Sequence, residues 1–262
     1  MVRRFVSYFL VCGIMLLSFA LAEAGFSTRY PASGVADASG DAGAPAGAPH
    51  DPYTGKRWNA VGDSITEQGK YMDQVRQIDD FTVVNCGLSS STLAINNAYL
   101  KNGSIVERVC GLNGNAGYAD ADVWTVMGGV NDVLYQSALG QIMPTGTAFD
   151  NTTVYGALQS ICEHILATSA HPRLILMTPT QSVRDEWDKE TYGITVAEIR
   201  RAIFEVGEYY ALPVLDTWAL SGINQFNLQR EENPTTDDGV HPTELGAELM
   251  AVAVARALEA VF

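Results

Sequence analysis

The sequence predicts an α/β domain in three layers: a five-stranded parallel sheet with helices on both faces. Two observations carry this. Short apolar runs recur after turn residues at 58–61, 81–85, 123–127, 174–177 and 214–215, and most lack the polar alternation of a sheet with one wet face. Stretches of helical period fall between them, so strand and helix alternate, the pattern of a parallel sheet in a single domain. No internal repeat with a period of about 20 to 50 residues is present.

The N-terminus stands apart from this domain. Arg3 and Arg4 precede an apolar run over 5–22, and Ala22-Glu23-Ala24 supplies a small-x-small cleavage pattern, so residues 1–24 read as a secretory signal peptide cut after Ala24. The run is also long enough to act as an uncleaved membrane anchor. Residues 25–50 are rich in Ala, Gly, Pro, Ser and Asp without periodicity, a disordered linker. The folded unit is expected over 51–262, in a secreted or cell-surface protein with no stable membrane span once the signal is removed.

Within that unit the first three strands run directly into turn-rich segments. They are Gly62-Asp63-Ser64-Ile65-Thr66, Asn85-Cys86-Gly87-Leu88-Ser89-Ser90-Ser91 and Gly128-Gly129-Val130-Asn131-Asp132. A helix follows Phe149-Asp150-Asn151, whose side chains offer capping oxygens; it carries Leu158, Ile161, Ile165 and Leu166 until His171-Pro172 stops it. The most amphipathic helix begins near Gly193, with Ile194, Ile199, Ile203, Val206 and Tyr210 on one side. The last opens at Pro242, a favoured first helical position, and continues through Leu245, Leu249, Val252 and Leu258.

Composition bounds the chemistry. The 262-residue chain is 47% hydrophobic, enough for a sizeable core, and its formal charge of -14 argues against a nucleic-acid partner. Loss of Arg3, Arg4 and Glu23 with the signal makes the charge one unit more negative. Of four cysteines, Cys12 leaves with the signal; an oxidising compartment would pair two of Cys86, Cys110 and Cys162, with Cys86–Cys110 closing the shortest loop. No Cys-x-x-Cys or His-x-x-x-His spacing supports zinc. Asn102-Gly103-Ser104 and Asn151-Thr152-Thr153 are glycosylation sequons, relevant only in a host that uses them.

Four segments place polar residues where packing does not ask for them. Ser64 sits at a strand end, where open α/β sheets bind their ligands, although Gly-Asp-Ser is also ordinary turn composition. Gly87 can present an unobstructed backbone N–H, and Asn131 a side-chain amide, although the latter segment also reads as a cap and turn. In Asp237-Asp238-Gly239-Val240-His241-Pro242, the i, i+3 spacing lets Asp238 bond one ring nitrogen of His241 and leaves the other free to take a proton from serine. A Gly-x-Ser-x-Gly elbow and a complete P-loop are both missing.

These four blocks, in this order, resemble the SGNH hydrolases, or GDSL esterase/lipase family, from about Trp58 to the C-terminus. The resemblance implies a flavodoxin-like sheet of order 2-1-3-4-5, with Ser64 as nucleophile, His241 as general base and Asp238 as its orienting carboxylate. It implies an oxyanion hole made by the N–H groups of Ser64 and Gly87 and the amide of Asn131, and neither cofactor nor metal. Asp63 and Asp132 match motif positions without a step in acyl transfer and read as loop-fixing residues. Cys86 before Gly87 and the serine run after it depart from the family pattern and leave the pocket wall open.

The expected activity is a secreted serine esterase working through an acyl-enzyme on a small-molecule or polysaccharide ester, with short acyl chains or acetyl groups on carbohydrate foremost. A lipase or thioesterase of the same family, or a non-catalytic carbohydrate-binding module that retains the fold, is the alternative. Substrate choice should lie in the loops 133–150 and 181–192. The second contains Trp187 and Tyr192, which either stack on sugar rings or pack the loop.

Overall fold

The structure, a computed structural model, describes residues 51–96 and 101–262. The signal peptide and linker expected over 1–50 lie outside the described residues. Five parallel strands form one sheet: β1 (Arg57–Gly62), β2 (Thr82–Gly87), β3 (Val123–Met127), β4 (Leu174–Met177) and β5 (Val214–Leu215). Their order is β2-β1-β3-β4-β5, as the resemblance implies. Strands at 58–61 and 81–85 extend to Gly62 and Gly87, so two of the expected turn segments begin inside the ladder, where Gly62 pairs with Gly87.

Alternation along the strands divides the core in two. Val61, Cys86, Trp124, Val126, Leu174 and Leu176 face one side, while Trp58, Ala60, Val123, Met127, Ile175 and Met177 face the other. Both sets are buried because helices cover each face, which is why the strands read as apolar runs. The helices are α1 (Ser64–Gln68), α2 (Lys70–Val75), α3 (Ile105–Val109), α4 (Val130–Leu134), α5 (Val154–Thr168), α6 (Lys189–Tyr192), α7 (Val196–Tyr209), α8 (Thr217–Leu220) and α9 (Glu244–Glu259). Helices α3, α5 and α7 pack against the first set, and α2 and α9 against the second. Among the described residues no helix is long and apolar enough to cross a membrane.

Several helix starts differ from expectation, each for a capping reason. Helix α5 is capped by Thr153, whose hydroxyl accepts from Gly156 N–H, while Asp150 accepts from Thr152 and Asn151 from Ser160. Helix α7 starts two residues after Ile194, where Thr195 and Glu198 form a reciprocal capping box. Gly193, at φ 75°, ends α6 instead of opening α7. Helix α9 is capped by Thr243, so Pro242 lies just before the cap and not at the first helical position.

The expected Cys86–Cys110 disulfide does not form. All three described cysteines are free thiols: Cys86 is a buried residue of β2, Cys162 is buried on α5, and the Cys110 thiol donates to Ser160 carbonyl at 3.6 Å. Burial pushes the Cys86 thiol up to about 11 and Cys110 up to about 12, away from the thiolate form that reacts.

One buried carboxyl gives the fold a measurable pH dependence. Asp79 is buried and its Oδ2 has no hydrogen-bond partner among the described residues. Burial, then the charges of Glu259 and Asp51, push it up to about 6. Its folded pKa exceeds the unfolded value of about 3.9, so the fold binds this proton more tightly and loses stability as pH rises from about 4 to about 6. Asp79→Asn is therefore expected to raise Tm at pH 8 and to leave it unchanged at pH 4, read by thermal denaturation at the two pH values.

Candidate active site

The C-terminal ends of β1, β2 and β3 and the turn before α9 converge on one small cavity. Ser64 is the first residue of α1, placed there because Asp63 caps the helix: its Oδ1 accepts from Ile65 N–H at 3.0 Å. As a first-turn residue, Ser64 has no carbonyl inside the helix to bond, so its N–H is free for another acceptor. Its hydroxyl lies 2.8 Å from His241 Nε2.

His241 is held by the turn it sits in. Its Nδ1 lies 2.7 Å from Asp238 Oδ2, while Asp238 Oδ1 accepts from the backbone N–H groups of His241 (2.8 Å) and Val240 (3.0 Å). A carboxylate can only accept, so the proton is on Nδ1 and the lone pair of Nε2 faces Ser64. Burial raises the Asp238 carboxyl, but those N–H groups and the His241 ring outweigh it and hold it below the ordinary carboxylate range. The turn is pinned on both sides, by Val183 N–H to Gly239 carbonyl (2.9 Å) and by Lys70 Nζ to Pro242 carbonyl (2.9 Å).

Asn131, on α4, is 5% exposed and its Nδ2 donates to Ser91 carbonyl at 3.0 Å. It reaches the strand end because Gly129 turns the chain at φ 116°, where an added Cβ would also lie 2.5 Å from Ile199. The cavity holds about 190 Å³ and is lined by Ser64, Asn131 and His241 together with Ser89, Ser90 and Arg184.

Gly87 does not take the place expected of it. Its N–H donates to Asn85 Oδ1 at 2.9 Å, and Gly87 is not among the residues lining the cavity. The glycine is required there for packing, since a Cβ would fall 2.1 Å from Glu67 N where α1 crosses β2. Three residues on, Ser90 does line the cavity, and among the described residues no acceptor takes its N–H. Ser90 adopts φ 66°, a left-handed conformation that costs a non-glycine residue about 1 kcal/mol or more. The serine run masked it: the glycine drew attention, whereas the residue at positive φ is the one that lines the cavity with its N–H unbonded among the described residues.

Asp63 and Asp132 are structural, as their lack of a chemical step suggests. Asp132 is fully buried and accepts from the N–H groups of Leu93 (2.7 Å) and Ala94 (3.2 Å), fixing the β2 loop; burial pushes it up to about 7. Burial likewise pushes Asp63 up to about 6. Two arginines were not anticipated. Arg108 lies beneath the strand ends, and Arg184 reaches the cavity from the 3₁₀ turn Val183–Glu186 after β4, donating from Nη1 to Val130 carbonyl (3.0 Å) and Asn131 Oδ1 (3.1 Å). Trp187 and Tyr192 stack on each other at 4.4 Å, half-buried against the core, with the Arg184 guanidinium 5.2 Å from the Trp187 ring. They pack the loop.

A hydroxyl, an imidazole and a carboxylate joined by hydrogen bonds at the strand ends of such a sheet have the geometry that a nucleophile, its base and an orienting group require. Residues 60–249 match the family described as GDSL-like lipase/acylhydrolase, and the chain belongs to that family. Over 93 residues it is 32% identical to an acetylxylan esterase of Xylanibacter ruminicola, a match covering 36% of this chain and 18% of that relative's length. Among solved structures it is similar to a Lactobacillus plantarum protein (24% identity, TM-score 0.64, 80% of this chain and 99% of that one). It is also similar to a possible lipase of Chitinophaga pinensis (22% identity, TM-score 0.59, 78% and 98%) and to an aryl esterase of M. smegmatis (18% identity, TM-score 0.53, 79% and 100%). At these identities the likeness is one of fold.

Proposed function

We propose that this chain is a secreted serine esterase that removes short acyl groups, acetyl above all, from a carbohydrate or small-molecule alcohol. The observation that carries the reading is the in-line relay, Ser64 Oγ to His241 Nε2 at 2.8 Å and His241 Nδ1 to Asp238 at 2.7 Å, opening on a cavity of about 190 Å³. His241 takes the Ser64 proton as the oxygen attacks the ester carbonyl, and Asp238 stabilises the imidazolium. The N–H groups of Ser64 and Ser90 and the Nδ2 of Asn131 receive the oxyanion. His241 then protonates the leaving alkoxide, and water, activated the same way, releases the acid from the acyl-enzyme.

The cavity favours a short acyl chain. Pockets for drug-sized ligands run from about 300 Å³ upward, and this one is smaller, with Leu134, Tyr135 and Val240 beside the serines, Asn131, Arg184 and His241 in its wall. The acetylxylan esterase likeness supports acetylated carbohydrate as the substrate class. Export rests on the signal-like residues 1–24.

An ester panel tests the reading: p-nitrophenyl acetate, butyrate and octanoate, acetylated xylo-oligosaccharide, and an acetyl thioester. The acetate is expected to exceed the octanoate in kcat/KM by about 100-fold, the order that a few badly fitting methylenes cost. A preference for octanoate would favour a lipase. Binding of the oligosaccharide without turnover of any ester would favour a non-catalytic module.

A further inference from the structure

We infer that Arg184 is a positioning residue that decides which end of the Asn131 amide faces the reacting ester. The inference rests on the reading of Asn131 as an oxyanion donor. The two ends of an Asn side chain have nearly the same shape, so half a turn about the last bond replaces an N–H donor with a carbonyl oxygen. At an oxyanion site that exchange turns stabilisation into repulsion.

Two neighbours select the orientation. The guanidinium of Arg184 can only donate, and it meets Asn131 Oδ1 at 3.1 Å. The Ser91 carbonyl can only accept, and it meets Nδ2 at 3.0 Å. Turning the amide would set NH2 against guanidinium and carbonyl against carbonyl. With one N–H of Nδ2 on Ser91, the second remains for the substrate.

Arg184 is itself held in place. Nη1 also donates to Val130 carbonyl at 3.0 Å, its guanidinium stands 5.2 Å from the Trp187 ring, and its backbone N–H bonds the Ser182 hydroxyl at 3.2 Å. The preceding Val183 N–H bonds Gly239 in the turn that carries Asp238 and His241. The segment after β4, where no catalytic block was expected, therefore links the base turn to the oxyanion amide. This gives the Trp187–Tyr192 stack a purpose beyond filling the loop: it backs the guanidinium.

The test is a double-mutant cycle read as kcat and KM on p-nitrophenyl acetate, with folding followed by thermal denaturation. Asn131→Ala is expected to lower kcat by about 100-fold or more. Arg184→Met is expected to lower kcat by about 10- to 100-fold with KM changed by less than about threefold, because the lost donor acts in the transition state. Arg184→Lys should recover part of the loss. In the Asn131→Ala background, Arg184→Met should change kcat by less than about threefold, since there is no amide left to orient. Equal losses in both backgrounds, or no loss from Arg184→Met alone, would overturn the inference while leaving the esterase reading intact. An unchanged kcat in Asn131→Ala would overturn the oxyanion assignment and the inference with it. If Arg184→Met does not fold, Arg184→Gln and Arg184→Lys in the two backgrounds complete the same cycle.

Discussion

Ser64→Ala is expected to lower kcat on p-nitrophenyl acetate by about 10⁴-fold or more, the loss typical when a nucleophile that works as a unit with its base is removed. Folding should be untouched, because among the described residues the Ser64 hydroxyl bonds His241 and no other side chain. The helix start does not depend on it either: Asp63, not Ser64, supplies the cap. Steady-state kinetics alongside a thermal melt separates the two effects. A variant that melts like the wild type and keeps more than about a tenth of its kcat would remove Ser64 from the chemistry.

Arg108→Met is expected to cost about 3 kcal/mol of stability, the order set by leaving several buried acceptors without a charged donor. Arg108 is 8% exposed, and all five of its N–H groups are used. Nε donates to Gly103 carbonyl (3.2 Å), Nη1 to Cys86 carbonyl (2.7 Å) and the Tyr118 hydroxyl, and Nη2 to Gly62 carbonyl (2.9 Å) and the Ser91 hydroxyl (3.1 Å). It thus ties the end of β1, just before Ser64, to the end of β2 and to the loop that carries Ser90 and Ser91. The loss stays well below five charged hydrogen bonds because Gly62 carbonyl keeps Leu88 N–H and Cys86 carbonyl keeps the Tyr118 hydroxyl. Arg108→Lys, with three donors in a different geometry, should fall between the two. Urea denaturation measures it, and a loss under about 1 kcal/mol would show that the strand ends hold their places without the guanidinium.

How much of this was legible in the chain follows from what each feature depends on. Strands such as β3 and β4 were readable to the residue because burial on both faces leaves a near-continuous apolar run, broken in β3 only by the buried Thr125. Short helices such as α1 and α4 were not: five residues carry no periodicity, and their existence depends on Asp63 as a cap and on Gly129 at positive φ. The Ser64–His241–Asp238 contacts were legible because Asp238 and His241 are three positions apart and Ser64 ends a strand. The donors were harder. Gly87 drew the oxyanion role as the glycine of its block, but it serves a backbone crossing, and the free N–H belongs to Ser90, whose left-handed φ leaves no mark in a run of three serines. Arg108 and Arg184 act through bonds spanning 46 and 53 positions, to Gly62 and Asn131, and no local pattern encodes such contacts.

The most direct measurement of the central claim is covalent labelling of the wild-type chain by a fluorophosphonate, located by mass spectrometry of its peptides. A serine activated by His241 attacks phosphorus and displaces fluoride, so the account predicts one adduct, on Ser64, and none in His241→Ala. An adduct on another residue, or an unlabelled Ser64 in a preparation that turns over p-nitrophenyl acetate, would contradict it.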